Sequence, residues 1–214
     1  LEFRRVLFRS KLPMHIPVAV GLLDAQGQDL PLQLDNASTP DEIEVHVAPT
    51  TLVLELTEAR QSFTFTGISA PPVPSLLRNF SAPVVLDYDY SDEQLAFLLA
   101  HDSDPFNRWE AGQRLATRRL LLADTGIAAD LSYTPNAQDE LLASALRQLL
   151  RDSSLDAAFR DLVLTLPSET MLAEEVNVID PQALHRARRA LRKFLAQSLR
   201  ADLIDAYQKN HVPG

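Results

Sequence analysis

Residues 71–115, PPVPSLLRNFSAPVVLDYDYSDEQLAFLLAHDSDPFNRWEAGQRL, record a change of periodicity that decides the fold. Leading into and through its first half, Phe63 and Phe65, then Val84, Leu86, Tyr88 and Tyr90, alternate with polar or small residues at the two-residue period of a half-buried strand. In its second half Leu95, Leu98 and Leu99 recur at helical spacing behind the capping residue Ser91. A seam of this kind predicts a β domain over residues 11–90 followed by a helical domain over residues 91–214.

Working outward on the β side, residues 11–90 hold nine of the fourteen prolines and break into short alternating runs, the profile of a small antiparallel, Ig-like β-sandwich. Ile16, Val18, Val20 and Leu22 place one apolar row on a strand, Asp24-Ala25-Gln26-Gly27 turns it, and Leu30, Leu32 and Leu34 return a second row. Further strands are expected at 43–47, 52–56, 62–66 and 84–90. Pro17 and Pro31 push the hairpin strands towards a sheet edge or demand a bulge, because proline donates no ladder hydrogen bond.

On the helical side three starts place a capping side chain before a proline: Asp104-Pro105, Thr134-Pro135 and Asp180-Pro181. Ser91 with Gln94 makes a capping-box pattern for a first helix ending near 100–103. A second helix is expected over 105–123, with Phe106, Trp109, Ala116 and Leu120 on one face. A third follows over 135–151, a fourth over 156–164 and a short fifth after Ser168. One long amphipathic helix is expected over 181–209, carrying Leu184, Leu191, Phe194, Leu195, Leu199, Leu203 and Tyr207. Successive antiparallel helices with short connections make the α part a bundle or a solenoid, and the chain as a whole an α+β multidomain protein.

The first ten residues, LEFRRVLFRS, are basic and have no strand or helix period. They are similar to the peptide obtained when a common sequencing-library adapter is translated in frame, so residues 1–10 are set aside from fold reasoning. No apolar core of signal-peptide length or small-residue cleavage site supports the competing reading. Removing their three arginines and one glutamate takes the formal charge from −9 to −11. Such an acidic chain argues against nucleic acid or an anionic membrane as main partner. The absence of cysteine removes any disulfide framework or thiolate chemistry and is compatible with the cytoplasmic location expected here. No apolar run approaches the roughly 18 residues needed to span a bilayer.

Catalytic motifs are absent from the sequence. The histidines are His15, His46, His101, His185 and His211, and none belongs to an HExxH pair, the spacing that turns two imidazoles on one helix face towards a metal. There is no GxSxG elbow, GxxxxGK[ST] loop or GxGxxG turn, and the six glycines include one at the terminus. The sequence therefore offers no candidate catalytic, cofactor-binding or metal residue. His101-Asp102-Ser103-Asp104 is the one cluster with metal-like donors, but His101 falls at a helix C-terminus and Asp104 caps the next helix. The basic run Arg186, Arg188, Arg189, Arg192 and Lys193 could bind phosphate, RNA or an acidic partner. Its ordinary reading is a helix face that is solvated or paired within the chain. Trp109, beside Arg108 and Glu110, reads as a core anchor at a helix contact. Asp87, Asp89, Asp92 and Glu93 lack a glycine-containing calcium loop and read as strand-face and helix-N-terminal charges.

Several separated stretches carry a family resemblance: HIPVAVGLLDAQGQDLPLQL at 15–34, PVPSLLRNFSAPVVLDY at 72–88, LLAHDSDPFNRWEAGQRLA at 98–116, LTLPSE at 164–169 and IDPQAL at 179–184. In this order they resemble the bacterial aminopeptidase N family, the alanyl aminopeptidases among gluzincin zinc metallopeptidases, at the join between its β-sandwich and its C-terminal helical domain. The resemblance implies a non-catalytic rear portion of an enzyme that releases N-terminal residues, often alanine, from peptides. It implies that zinc, HExxH and GxMEN lie in the parent's catalytic domain, which becomes this chain's intramolecular partner, with peptides as the parent's substrates. It also implies that the sandwich packs beside that domain and the helices cap the active-site cavity. Two departures are noted: residues 36–50 make a longer loop than the family pattern, and QKNHVPG at 208–214 stops partway through a helical array, so that a truncated, association-prone end is expected. The rival function is an independent, non-enzymatic interaction module built of a sandwich and a helical scaffold.

Overall fold

The computed structural model describes residues 2–4, 14–35, 49–125 and 134–211. It divides into two compact units, one comprising Leu1–Asp89 with His101–Asn107, the other Tyr90–Ala100 with Arg108–Gly214.

The first unit is organised by β2 (Ile16–Leu23), which pairs antiparallel with β3 (Leu52–Leu56) and β5 (Val73–Leu76) in the order β3-β2-β5. A second, two-stranded sheet joins β1 (Glu2–Arg4) to β4 (Arg60–Ser62). β2 is apolar almost throughout because both of its ladders are used: β3 covers residues 16–20 and β5 covers residues 20–23. Pro17 survives in this central strand because β5 does not reach it. The Ala19 N–H turns away from a ladder to the Ser81 hydroxyl at 2.9 Å, and N–H groups two residues apart point to the same side. Proline's missing donor therefore faces no strand.

The expected hairpin closes only at its tip. Asp24 accepts from the N–H groups of Gln26 and Gln28 at 2.8 and 2.9 Å, Gly27 turns at φ +81°, and the Leu30 N–H returns to Leu22 at 2.8 Å. The chain then leaves β2, and the Gln33–Asp35 stretch bonds Thr64 and Thr66 instead. The physical reason is competition: β3 and β5 already occupy the two edges of β2. Leu32 still reaches the core and is 2% exposed.

The strand expected at 52–56 is β3, whereas the one at 62–66 reduces to β4 and an isolated bridge between Leu34 and Phe65. Residues 43–47 lie outside the described residues. Residues 84–90 form no strand, although Val84, Leu86 and Tyr88 pack on the core while Val85, Asp87 and Asp89 face out. Alternating burial alone needs only an extended chain over an apolar surface; a ladder needs a partner edge as well. β5, built from VPSL, carries no such alternation and was not expected.

In the second unit, α1 (Asp92–His101) begins with the anticipated reciprocal cap, Gln94 N–H to Ser91 Oγ at 3.2 Å and Ser91 N–H to Gln94 Oε1 at 2.9 Å. α2 (Pro105–Thr125), α3 (Ala137–Arg151), α4 (Ala157–Leu164), α5 (Glu169–Glu174), α6 (Pro181–Ser198) and α7 (Arg200–Asn210) follow. α3 is capped not by Thr134 but by Asn136, whose side chain accepts from Gln138 and Asp139 while Asp139 reaches back to the Asn136 N–H. The long helix expected over 181–209 is divided at Leu199, whose φ of −102° and ψ of 9° leave the helical region. α3 packs against α4, α6 and α7, and α5 against α6. Leu142, Leu149, Leu172, Leu184 and Leu191 are among the fully buried side chains there.

Candidate functional site

The most elaborate side-chain chemistry in the first unit surrounds Arg78, 3% exposed within the apolar run LLRNF. Its guanidinium donates from Nε to Ser75 Oγ at 2.9 Å and from Nη1 to Thr51 Oγ1 at 2.9 Å. Nη2 meets Asp29 Oδ1 at 2.5 Å and Asp102 Oδ1 at 3.3 Å. A guanidinium provides five N–H donors in a rigid plane, so one residue joins β5, the β2 hairpin, the β3 entry and the segment after α1.

The backbone is contorted to present it. Leu77, Asn79 and Phe80 all lie at positive φ, 59°, 53° and 50°, and none is glycine. Left-handed non-glycine residues cost of order 1–3 kcal/mol each where they are strained, so the surroundings must over-determine them. They do: the Asn79 N–H donates to Asp104 Oδ2 at 2.9 Å, and the Phe80 ring meets Phe106 at 5.3 Å between centroids.

HDSD at 101–104 supplies the other side of this interlock. Asp102 Oδ1 also accepts the Asp104 N–H at 2.9 Å, and Asp104 Oδ1 caps α2 through the Asn107 N–H at 2.9 Å. Asn107 Nδ2 donates to Ser75 Oγ at 2.7 Å, and Ser103 Oγ donates to Asp29 Oδ2 at 2.5 Å. Asp102 is fully buried, and its Oδ2 has no partner at hydrogen-bonding geometry. Burial pushes its carboxyl above the ordinary carboxylate range, opposed by the Asp104 N–H, the Ser75 hydroxyl and the Arg78 charge. Chemically the arrangement is a two-carboxylate clamp on one guanidinium. Among the described residues no group of three His, Cys, Asp or Glu stands close enough to hold a metal ion.

Comparison with known proteins gives this architecture its context. Residues 7–89 match a domain of unknown function, DUF3458, with an Ig-like fold, and residues 92–214 match DUF3458_C, described as ARM repeats. The chain belongs to the DUF3458_C family. The chain is 37% identical over 202 residues to aminopeptidase N of Escherichia coli, an alignment covering 94% of it and 22% of that protein. Aminopeptidase N of Haemophilus influenzae is 37% identical over 202 residues, covering 92% and 21% respectively. The Caulobacter vibrioides protein of the same name is 42% identical over 149 residues, covering 70% and 17%. Among solved structures, Legionella pneumophila aminopeptidase A in complex with aspartic acid matches with a TM-score of 0.69 at 27% identity, covering 94% of this chain and 21% of that one. The chain thus spans about a fifth of the length of the relatives it matches.

Within the DUF3458_C helices, Arg108 and not Trp109 is the buried anchor. Arg108 is 6% exposed and satisfies the end of α1, donating to the carbonyls of Leu99 at 3.1 Å and Ala100 at 2.5 Å, while Nη1 approaches Asp152 at 3.4 Å. Trp109 and Glu110 are half-buried, and desolvation raises the Glu110 carboxyl above its usual range. Arg119 holds buried Asp139 through two bonds of 2.8 and 3.0 Å. The acidic stretch resolves into exposed Asp87 and Asp89, and Asp92, which accepts from Arg118 at 3.1 Å and Gln138 at 2.6 Å.

The remaining histidines disperse. His15 pairs with Glu55, His185 with Glu169 at 2.9 Å, and His211 stacks on Tyr207 at 4.9 Å; His101 packs against Gly27, and His46 lies outside the described residues. Arg188 donates to the carbonyls of Pro167 and Leu166 at 2.8 and 3.4 Å, whereas Arg186, Arg189, Arg192 and Lys193 are exposed and make no ion pair among the described residues. The solvated reading describes those four, while Arg188 is tied down within the chain. Arg78 itself escaped sequence reasoning; the signal was there as a lone charge between Leu77 and Phe80 in an otherwise apolar stretch.

Proposed function

We propose that this chain is the non-catalytic portion of a zinc aminopeptidase that removes N-terminal residues from peptides, the sandwich bracing the catalytic domain and the helices capping the active-site cavity. The observation that carries the reading is the alignment with Escherichia coli aminopeptidase N, which takes in 94% of this chain but only 22% of that protein. Most of such an enzyme lies outside the matched region, and its zinc belongs there. A catalytic zinc takes about three protein ligands and an open position, and the donor set described above does not fit that requirement. In the catalytic domain the metal would supply Lewis-acid polarisation of the scissile carbonyl. Here the residues supply shape: the loop at 77–80, tied down by Arg78 and by Asp104, is suited to hold a neighbour in place. A cytoplasmic location belongs to the same proposal.

The chain expressed alone with added zinc should leave L-alanine p-nitroanilide intact. Joined to an aminopeptidase N catalytic region it should support hydrolysis, and deletion of residues 91–214 from that assembly should admit folded proteins as substrates. Hydrolysis by the isolated chain, or a catalytic region equally stable and equally selective without it, overturns the reading and favours an independent interaction module.

A further inference from the structure

Two shallow grooves of about 350 and 330 Å³ meet along one face of α6, sharing Glu169 and His185. Pro181, Gln182 and Arg186 line the first, and Arg188, Arg189 and Arg192 the second. The spacing is helical: 185, 188, 189 and 192 fall on one face. The single carboxylate, Glu169, is already engaged by His185 Nδ1 at 2.9 Å. Arg188 is half-buried and fixed in orientation by two backbone carbonyls, which accept its protons without neutralising its charge. Arg189 and Arg192 have no acidic partner among the described residues and are exposed. In a chain of net charge −9, three guanidinium charges thus converge on a groove whose one carboxylate is Glu169, leaving cationic charge in excess.

We propose that this face of α6 is a docking groove for an acidic, extended peptide segment. Residues 181 to 192 span about 16 Å of helix, which matches roughly five residues of extended chain and exceeds a single phosphate or carboxylate. Single-stranded nucleic acid is the less suited polyanion, since it binds through aromatic stacking as well as charge and no Phe, Tyr or Trp lines either groove. Carboxylates suit the site because planar, bidentate pairing with arginine fixes register along the helix.

The test uses the whole chain and a fluorescein-labelled hexaglutamate peptide, read by anisotropy. Saturable binding that weakens as NaCl rises is expected, and R189E with R192E should weaken it about tenfold or more through two charge reversals in the groove. R200E, exposed on α7 and outside the groove, changes the charge by the same amount per site and should leave the affinity unchanged. All three positions are exposed, and circular dichroism checks that each variant is folded. Absence of saturable binding, equal weakening per charge by R200E, or tighter binding of hexauridylate than of hexaglutamate overturns the proposal.

Discussion

At the scale of single residues, Arg78 ties four separate segments of the first unit together. Removing one partner of a buried ion pair leaves an uncompensated charge and costs about 3–5 kcal/mol. Arg78→Ala should lower urea-unfolding stability by that order, and Arg78→Lys should recover little, because an ammonium cannot reach Ser75, Thr51, Asp29 and Asp102 from one plane. Gly21 provides a second handle on the same interaction. A Cβ there would stand 2.0 Å from the Arg78 Cζ, so Gly21→Ala must expel the guanidinium. Its cost should approach that of Arg78→Ala and shrink sharply in the double variant, whereas additive losses would show that the glycine serves another purpose.

Asp102 gives that cluster a pH dependence whose sign follows from its burial. Its folded pKa is raised, so the folded chain holds the proton more tightly than the unfolded chain. The associated stability is present below the ordinary carboxylate value of about 4 and is lost as pH rises through the folded value. Asp102→Asn keeps an acceptor for Arg78 and for the Asp104 N–H but cannot ionise. The stability of the variant relative to the parent chain should therefore improve between pH 4 and pH 7; parallel stability curves would remove Asp102 as the group responsible. Asp152 works in the opposite direction, because Ser154 and Arg108 hold its carboxyl below the usual range and its contribution is lost on acidification.

At the scale of elements, caps and edges decide more than apolar rhythm does. The start of α3 illustrates this: Thr134-Pro135 has the right residue types, yet Asn136 two residues on has Asp139 at the reciprocal position and takes the cap. Asn136→Ala should cost about 1 kcal/mol in thermal or urea unfolding. An unchanged midpoint would show that Asp139, held by Arg119, anchors the helix end by itself. The division of the last helix at Leu199 has no comparable sequence mark, since no glycine or proline stands there. The strand expected at 84–90 fails differently: burial alternates as the residues dictate, but among the described residues no ladder forms with it.

At the scale of the molecule, the segment between α1 and α2 belongs to the β unit although it lies in the helical half of the sequence. Asp102, Asp104 and Asn107 complete the hydrogen bonding of Arg78, Asn79 and Ser75. A fragment ending at Asp89 loses all three partners. It should unfold at lower urea than the same residues within the whole chain, by an amount comparable with Arg78→Ala. Equal midpoints for the fragment and the whole chain would show that the β unit is complete without residues 101–107.

The sequence by itself determined the order of the two architectures, most helix starts and the family, because apolar period, capping residues and turn chemistry are local properties of a few neighbouring positions. Ser91, Asp156 and Asp180 needed no partner far away to be read. Only the tertiary structure decided which strands pair, that Leu30 to Leu34 leave β2, that Arg108 and not Trp109 is buried, and that LLRNF and HDSD form one interlock 24 residues apart in the chain. Those outcomes depend on competition for a limited number of strand edges and on buried charges finding partners, and neither is written in the spacing of residues along one segment.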